Sequence, residues 1–100
     1  VRVIARAPLR DFWTSHADAE DPLKAWLADA EKVQWQSPND ITANYANTSI
    51  LGDSRVCFNI KGNRYRLIVK VIYKAQVVYI KFIGTHAEYD KINAEEVSLY

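Results

Sequence analysis

Two hydrophobic periodicities divide the chain. In the first half, apolar positions recur at helical spacing. Leu9, Phe12, Trp13, His16 and Ala17 follow the i, i+3, i+4, i+7, i+8 pattern of one helical face, and Pro8 suits the first turn, where its missing N–H costs nothing. Asp21-Pro22 predicts a second helix, with Asp21 as N-cap and Pro22 at the first position, carrying the stripe Leu23, Trp26, Leu27, Ala30 and Val33. Val1 to Ala5 suits a short strand. Ser37-Pro38-Asn39-Asp40 breaks or re-caps the chain, and Ile41 to Leu51 fits a short helix or an ordered loop.

The second half alternates. Val56, Phe58 and Ile60 interleave with Arg55, Cys57 and Asn59, and Lys61-Gly62-Asn63 makes a hairpin-type connection. From Arg64 to Lys74, Tyr65, Leu67, Val69, Val71 and Tyr73 point one way. Arg64, Arg66, Ile68, Lys70, Ile72 and Lys74 point the other. After a turn near Ala75-Gln76, Val78, Ile80 and Phe82 oppose Val77, Tyr79, Lys81 and Ile83. Three strands with short connections predict an antiparallel meander, and two amphipathic helices can cover its apolar face. The expected class is α+β: an N-terminal strand and two helices packed on an antiparallel sheet, then a short C-terminal helix, all in one domain over residues 1–100.

Charge sharpens this picture. The chain of 100 residues has a formal net charge of +1, but the total hides a segregation. From Asp11 to Asp53 acids dominate. From Ser54 to Ala87 stand Arg55, Lys61, Arg64, Arg66, Lys70, Lys74 and Lys81, with no carboxylate. Arg55, Asn59, Arg64, Arg66, Lys70 and Lys81 are expected together on the sheet face that the helices leave open. Ile68, Ile72 and Tyr79 make that face partly apolar. Cations interleaved with an aromatic suit single-stranded nucleic acid, through phosphate contacts and base stacking. Lysine that protects an edge strand from aggregation is the alternative.

Thr85-His86-Ala87-Glu88 reads as a capping box, which accounts for Thr85 and Glu88. It leaves His86, Tyr89 and Asp90 on one helical face, at the end of the strand that carries Lys81. RNA cleavage by its own 2′-hydroxyl needs a base, cations for the charge on phosphorus, and an acid for the leaving 5′ oxygen. Histidine and arginine supply these functions. His16 is expected to be a packing residue, and Cys57 a small filler. One cysteine fits a reducing compartment, no apolar run approaches a membrane span, and the first residues do not read as a signal peptide, so a cytoplasmic location is expected. No metal-ligand spacing or phosphate-binding glycine loop occurs, so neither metal nor cofactor is expected.

The runs "PLKAWL", "SPNDI", "FNIKGNRYRLIV" (58–69) and "FIGTHAEYDKI" (82–92) resemble the HigB-type toxins of bacterial toxin–antitoxin pairs, within the RelE/ParE-like group. The resemblance extends from the first helix to Ile92. It implies a small α+β ribonuclease that cuts messenger RNA, usually on the ribosome, and is neutralised by a HigA-type helix-turn-helix antitoxin, through which alone operator DNA would be contacted. By the same resemblance Arg66 would contact the scissile phosphate, and His86 and Tyr89 would carry acid–base chemistry or base stacking. Asn59, Lys61, Arg64 and Lys81 would bind RNA, Lys81 standing where arginine is common. Asn63 matches a turn position. ParE-like members share the fold yet poison DNA gyrase, so a non-catalytic binding toxin and an RNA-binding module are the alternatives.

Overall fold

The computed structural model describes residues 1–98. Strands β1 (Arg2–Ile4), β2 (Ser49–Ile50), β3 (Arg55–Ile60), β4 (Tyr65–Ile72) and β5 (Val77–Thr85) form one sheet in the order β1-β5-β4-β3-β2. β3, β4 and β5 are the expected antiparallel meander. β1 joins β5 in parallel, so the sheet is mixed rather than wholly antiparallel. β2 lies in the stretch that fitted a helix or loop and adds an antiparallel edge to β3. Two residues are too short to show an alternation, which is why the pattern does not mark it.

Helices α1 (Ala7–Ser15) and α2 (Glu20–Lys32) provide the apolar cover. Leu9, Leu23 and Ala30 are fully buried and Trp26 nearly so, in one cluster with Val56, Phe58, Leu67, Val69 and Val78 from the sheet. Phe58 centres an aromatic group, with ring centroids 5.4 Å from Trp26, 5.9 Å from Trp35 and 5.1 Å from Tyr45. Such offset and edge contacts add to the stabilisation from area alone. Ser37 is the N-cap residue of a short helix α3 (Pro38–Thr42), and the last helix is α4 (His86–Tyr89).

Two helix-end expectations are corrected. α1 stops at Ser15 and a 3₁₀ turn follows over Ala17–Ala19, so Ala17 leaves the apolar face while His16 still stacks on Phe12. That turn runs directly into α2, whose N-cap residue is Ala19, already in the helical region. Asp21 therefore caps nothing and lies with Glu20 in the first turn, where negative charge is favoured.

A third correction falls in β5. Ile68 pairs with Phe82 but Val69 pairs with Ile80, so Lys81 is an extra residue opposite no partner. This β-bulge reverses the alternation beyond it. Val78, Ile80 and Ile83 join the helix-side core, while Phe82 joins Cys57 and Ile68 on the opposite face. Gly84 follows from the same arrangement. A Cβ there would lie 2.6 Å from Cζ of the Phe82 ring.

Candidate active site

The face away from α1 and α2 is divided in two. Part of it is covered: Leu51 and the C-terminal residues Tyr89, Ile92, Ala94 and Val97 pack on buried Cys57, Ile68 and Phe82. Arg55 belongs to this cover and not to an open cationic surface. It is 5% exposed and donates from Nη1 to the carbonyls of Ala94 (3.1 Å) and Val97 (2.5 Å), while its Nε faces Asp53 at 3.4 Å. Lys70 also pairs with Asp53, at 2.9 Å. The run without carboxylates in sequence is thus partly neutralised in space.

Arg66 and Tyr89 stand at the border of this cover. The Arg66 guanidinium lies 5.1 Å from the Tyr89 ring centroid, and the Phe82 ring lies 6.4 Å from it. Asn59 is directly cross-strand from Arg66, and both Asn59 Oδ1 and Arg66 Nε are buried with no hydrogen-bond partner among the described residues. No carboxylate pairs with Arg66 among the described residues, so its charge is left uncancelled beside the ring. Cys57 lies against both side chains; burial pushes its thiol up, with Arg66 opposing. Burial likewise raises the Tyr89 phenol, and the neighbouring Cys57 adds to that. Both groups are therefore protonated near neutrality, and the thiol is no nucleophile.

The other half of the site opens beside the β3–β4 turn. The capping box at the start of α4 is present in full: Thr85 Oγ1 accepts from the Glu88 amide at 3.2 Å, and Glu88 Oε1 accepts from the Thr85 amide at 2.8 Å. It fixes His86 at the first helical position, exposed, with Nδ1 3.2 Å from Asp90 Oδ2. His86 lines an open groove of about 530 Å³ with Arg64, Asn63, Tyr65, Thr85, Ala87 and His16. Beside it, Asp18 receives Lys61 Nζ at 3.3 Å, Arg64 Nε at 3.4 Å and the Tyr65 hydroxyl. These contacts hold the Asp18 carboxyl below the usual range, the Tyr65 hydroxyl being the largest cause.

The seven sequence-predicted site residues therefore separate. Arg66, Tyr89 and Asn59 form one cluster. His86 and Arg64 line the groove, with Lys61 at the shared Asp18. α4 links the two, because His86 and Tyr89 lie one turn apart on it. Lys81 joins neither: it sits at the bulge, 5.9 Å over the Tyr79 ring, further back along β5 than Gly84, the partner of Arg66. Sequence reasoning missed Asp18 and the groove position of His16. The "SHADAE" run held the signal, but the assumed helix placed His16 inward.

Among the described residues, no three His, Cys, Asp or Glu side chains are grouped to hold a metal ion, and no helix is long and apolar enough to cross a membrane. Five strands in this order, with two helices on one face and a capped short helix at the other, fit the RelE-like toxic components of toxin–antitoxin systems. Within that class the chain belongs to the HigB toxin family, whose model matches residues 19–92. It is 38% identical over 96 residues to the mRNA interferase toxin HigB of Escherichia coli (strain K12), covering 94% of this chain and 92% of that protein. The mRNA interferase HigB proteins of Escherichia coli O157:H7 and Shigella flexneri match to the same extent.

Proposed function

We propose that the chain is a toxin endoribonuclease that cleaves mRNA on the ribosome without a metal ion. The observation that carries this reading is Arg66: a guanidinium with no carboxylate partner among the described residues, beside a helix that carries an exposed histidine. Arg66 takes the scissile phosphate, for which a planar, permanently charged fork is suited. His86 exchanges a proton with a reacting oxygen, and Tyr89 holds the Arg66 plane and offers a ring edge for a base. Arg64, Lys61 and Asn59 extend the RNA contact, and Lys81 contributes at its margin. In the step, the 2′ oxygen bonds to phosphorus, the bond to the 5′ oxygen breaks, and one proton passes from the first oxygen to the second by way of protein groups.

A HigA-type helix-turn-helix antitoxin neutralises the activity, operator DNA is met only through that complex, and the protein acts in the cytoplasm as a single domain. Membership of a toxin–antitoxin family supports the existence of such a partner. The deciding experiment incubates purified protein with a defined mRNA, with and without ribosomes and with chelator, and maps the new 5′ ends. New ends that need ribosomes, survive chelator and vanish in Arg66→Ala and His86→Ala are expected. Growth inhibition with no new ends would overturn the nuclease reading in favour of a binding toxin.

A further inference from the structure

The groove beside α4 holds a second histidine that the reading above does not use. His16 follows the last residue of α1 with φ −129°, outside the helical region, and is half-buried. The ring stacks on Phe12 at 4.1 Å with an interplanar angle of 8°, and meets Tyr65 edge-on at 5.6 Å. Its Nδ1 lies 3.3 Å from the Phe12 carbonyl oxygen, which can only accept. Nδ1 therefore carries the hydrogen, and in the neutral ring Nε2 keeps its lone pair.

His86 is held differently. Its Nδ1 faces the Asp90 carboxylate, so Nδ1 again carries a hydrogen, and the ring lines the groove. Arg64 lines the same groove, with its Nε 3.4 Å from Asp18 Oδ2 and its side chain 64% exposed. The other ionisable groups around the pair are Tyr65 and Asp18 on the groove side, and Asp11 and Glu88 on the opposite flank of His16. Glu88 is occupied by the capping box.

We propose that His16 is the general base and His86 the general acid of one RNA-cleaving groove, with Arg64 adding a second guanidinium to the phosphate that Arg66 holds. The inference rests on the nuclease reading and adds the base to it. His16 Nε2 takes the 2′-hydroxyl proton, the 2′ oxygen bonds to phosphorus, the bond to the 5′ oxygen breaks, and His86 Nε2–H protonates that oxygen. The products are a 2′,3′-cyclic phosphate and a 5′-hydroxyl end.

The test is single-turnover cleavage of a defined mRNA on programmed ribosomes across a pH series, with thermal melting of each variant. His16→Asn keeps a donor for the Phe12 carbonyl and lacks the base; His16→Phe keeps the stack. The expected result is a bell-shaped profile for the wild type. Both His16 variants should lose roughly 100-fold in rate and the rise on the acid side. His86→Gln should lose the fall on the alkaline side. A folded His16 variant that cleaves within about twofold of wild type overturns the base assignment while the nuclease reading stands. Should neither His16 variant fold, a wild-type profile with a single ionisation overturns it. A wild type that makes no new ends removes the nuclease reading itself, and this inference with it.

Discussion

The Arg66 guanidinium rests on the face of the Tyr89 ring, 5.1 Å from its centroid, and this contact ties β4 to the short helix α4. The ring restricts the guanidinium and leaves its charge uncancelled. Tyr89→Phe keeps the face and should cut RNA at close to the wild-type rate. Tyr89→Ala should lose about 1 kcal/mol of positioning, roughly fivefold in rate. Arg66→Lys keeps the charge without the planar fork and should fall between Arg66→Ala and wild type. Rates of new 5′-end formation check all three. A Tyr89→Phe variant as inactive as Tyr89→Ala would instead make the hydroxyl the acting group.

Asp18 and Tyr65 predict a pH dependence of stability. The Asp18 carboxyl is held below its ordinary range, first by the Tyr65 hydroxyl and then by Lys61 and Arg64, with burial opposing. Its contribution is complete above the unfolded value of about 3.9 and is lost as pH falls through the folded value. The Tyr65 phenol is raised, first by Asp18, so its contribution is complete below about 10 and is lost as pH rises through its folded value. Asp18→Asn should therefore lower the urea midpoint at pH 7, and by less as pH falls through the folded value. It also releases Lys61 and Arg64, so RNA binding should tighten at low salt. Equal midpoints at pH 7 would show that the three contacts contribute nothing net.

These residues also show what the sequence could and could not reveal. The helix-side core was legible because Leu23, Trp26 and Leu27 repeat at helical spacing and Val56, Phe58 and Ile60 alternate. The capping box at Thr85 was legible because it is local, spanning four residues. The bulge at Lys81 was not, since an inserted residue changes which side chains share a face without breaking the run of apolar letters. Asp18 beside Lys61 and Arg64, and Arg55 under the C-terminal segment, depend on packing between distant parts of the chain. The positions of Arg66 and His86 were readable, whereas the groove position of His16 depends on α1 ending at Ser15, two residues short of the periodic run.

Gln76 predicts a stability effect far from the site. At φ 55° it turns the chain between β4 and β5, and its side chain clasps the backbone of Trp35. Nε2 donates to the Trp35 carbonyl at 2.7 Å, and Oε1 accepts from the Trp35 amide at 3.0 Å. Trp35 is 1% exposed, so its freed polar groups have poor access to water. Gln76→Ala should cost about 3 kcal/mol, lowering Tm by roughly 15 °C. Gln76→Gly loses the same contacts but accepts positive φ, so it should retain about 1 kcal/mol relative to alanine. Thermal melts of the pair separate the hydrogen bonds from the backbone conformation.

Arg55 predicts how the cover over the sheet is held. Its buried guanidinium is the donor for the Ala94 and Val97 carbonyls, and the cover it secures includes Tyr89. Arg55→Met keeps most of the apolar stem and removes both donors. The cost should be about 2–3 kcal/mol, because the hydrogen bonds come from a charged group. The loss should concentrate in local opening rather than in the helix-side core, which Arg55 does not touch. Cys57 reports on this directly: it is fully buried under the cover, so a thiol reagent should label wild type slowly and Arg55→Met at least tenfold faster. Cleavage should fall together with protection, since a loosened Tyr89 no longer fixes Arg66. Fast labelling with an undiminished cutting rate would show that the C-terminal cover is not needed to place Arg66.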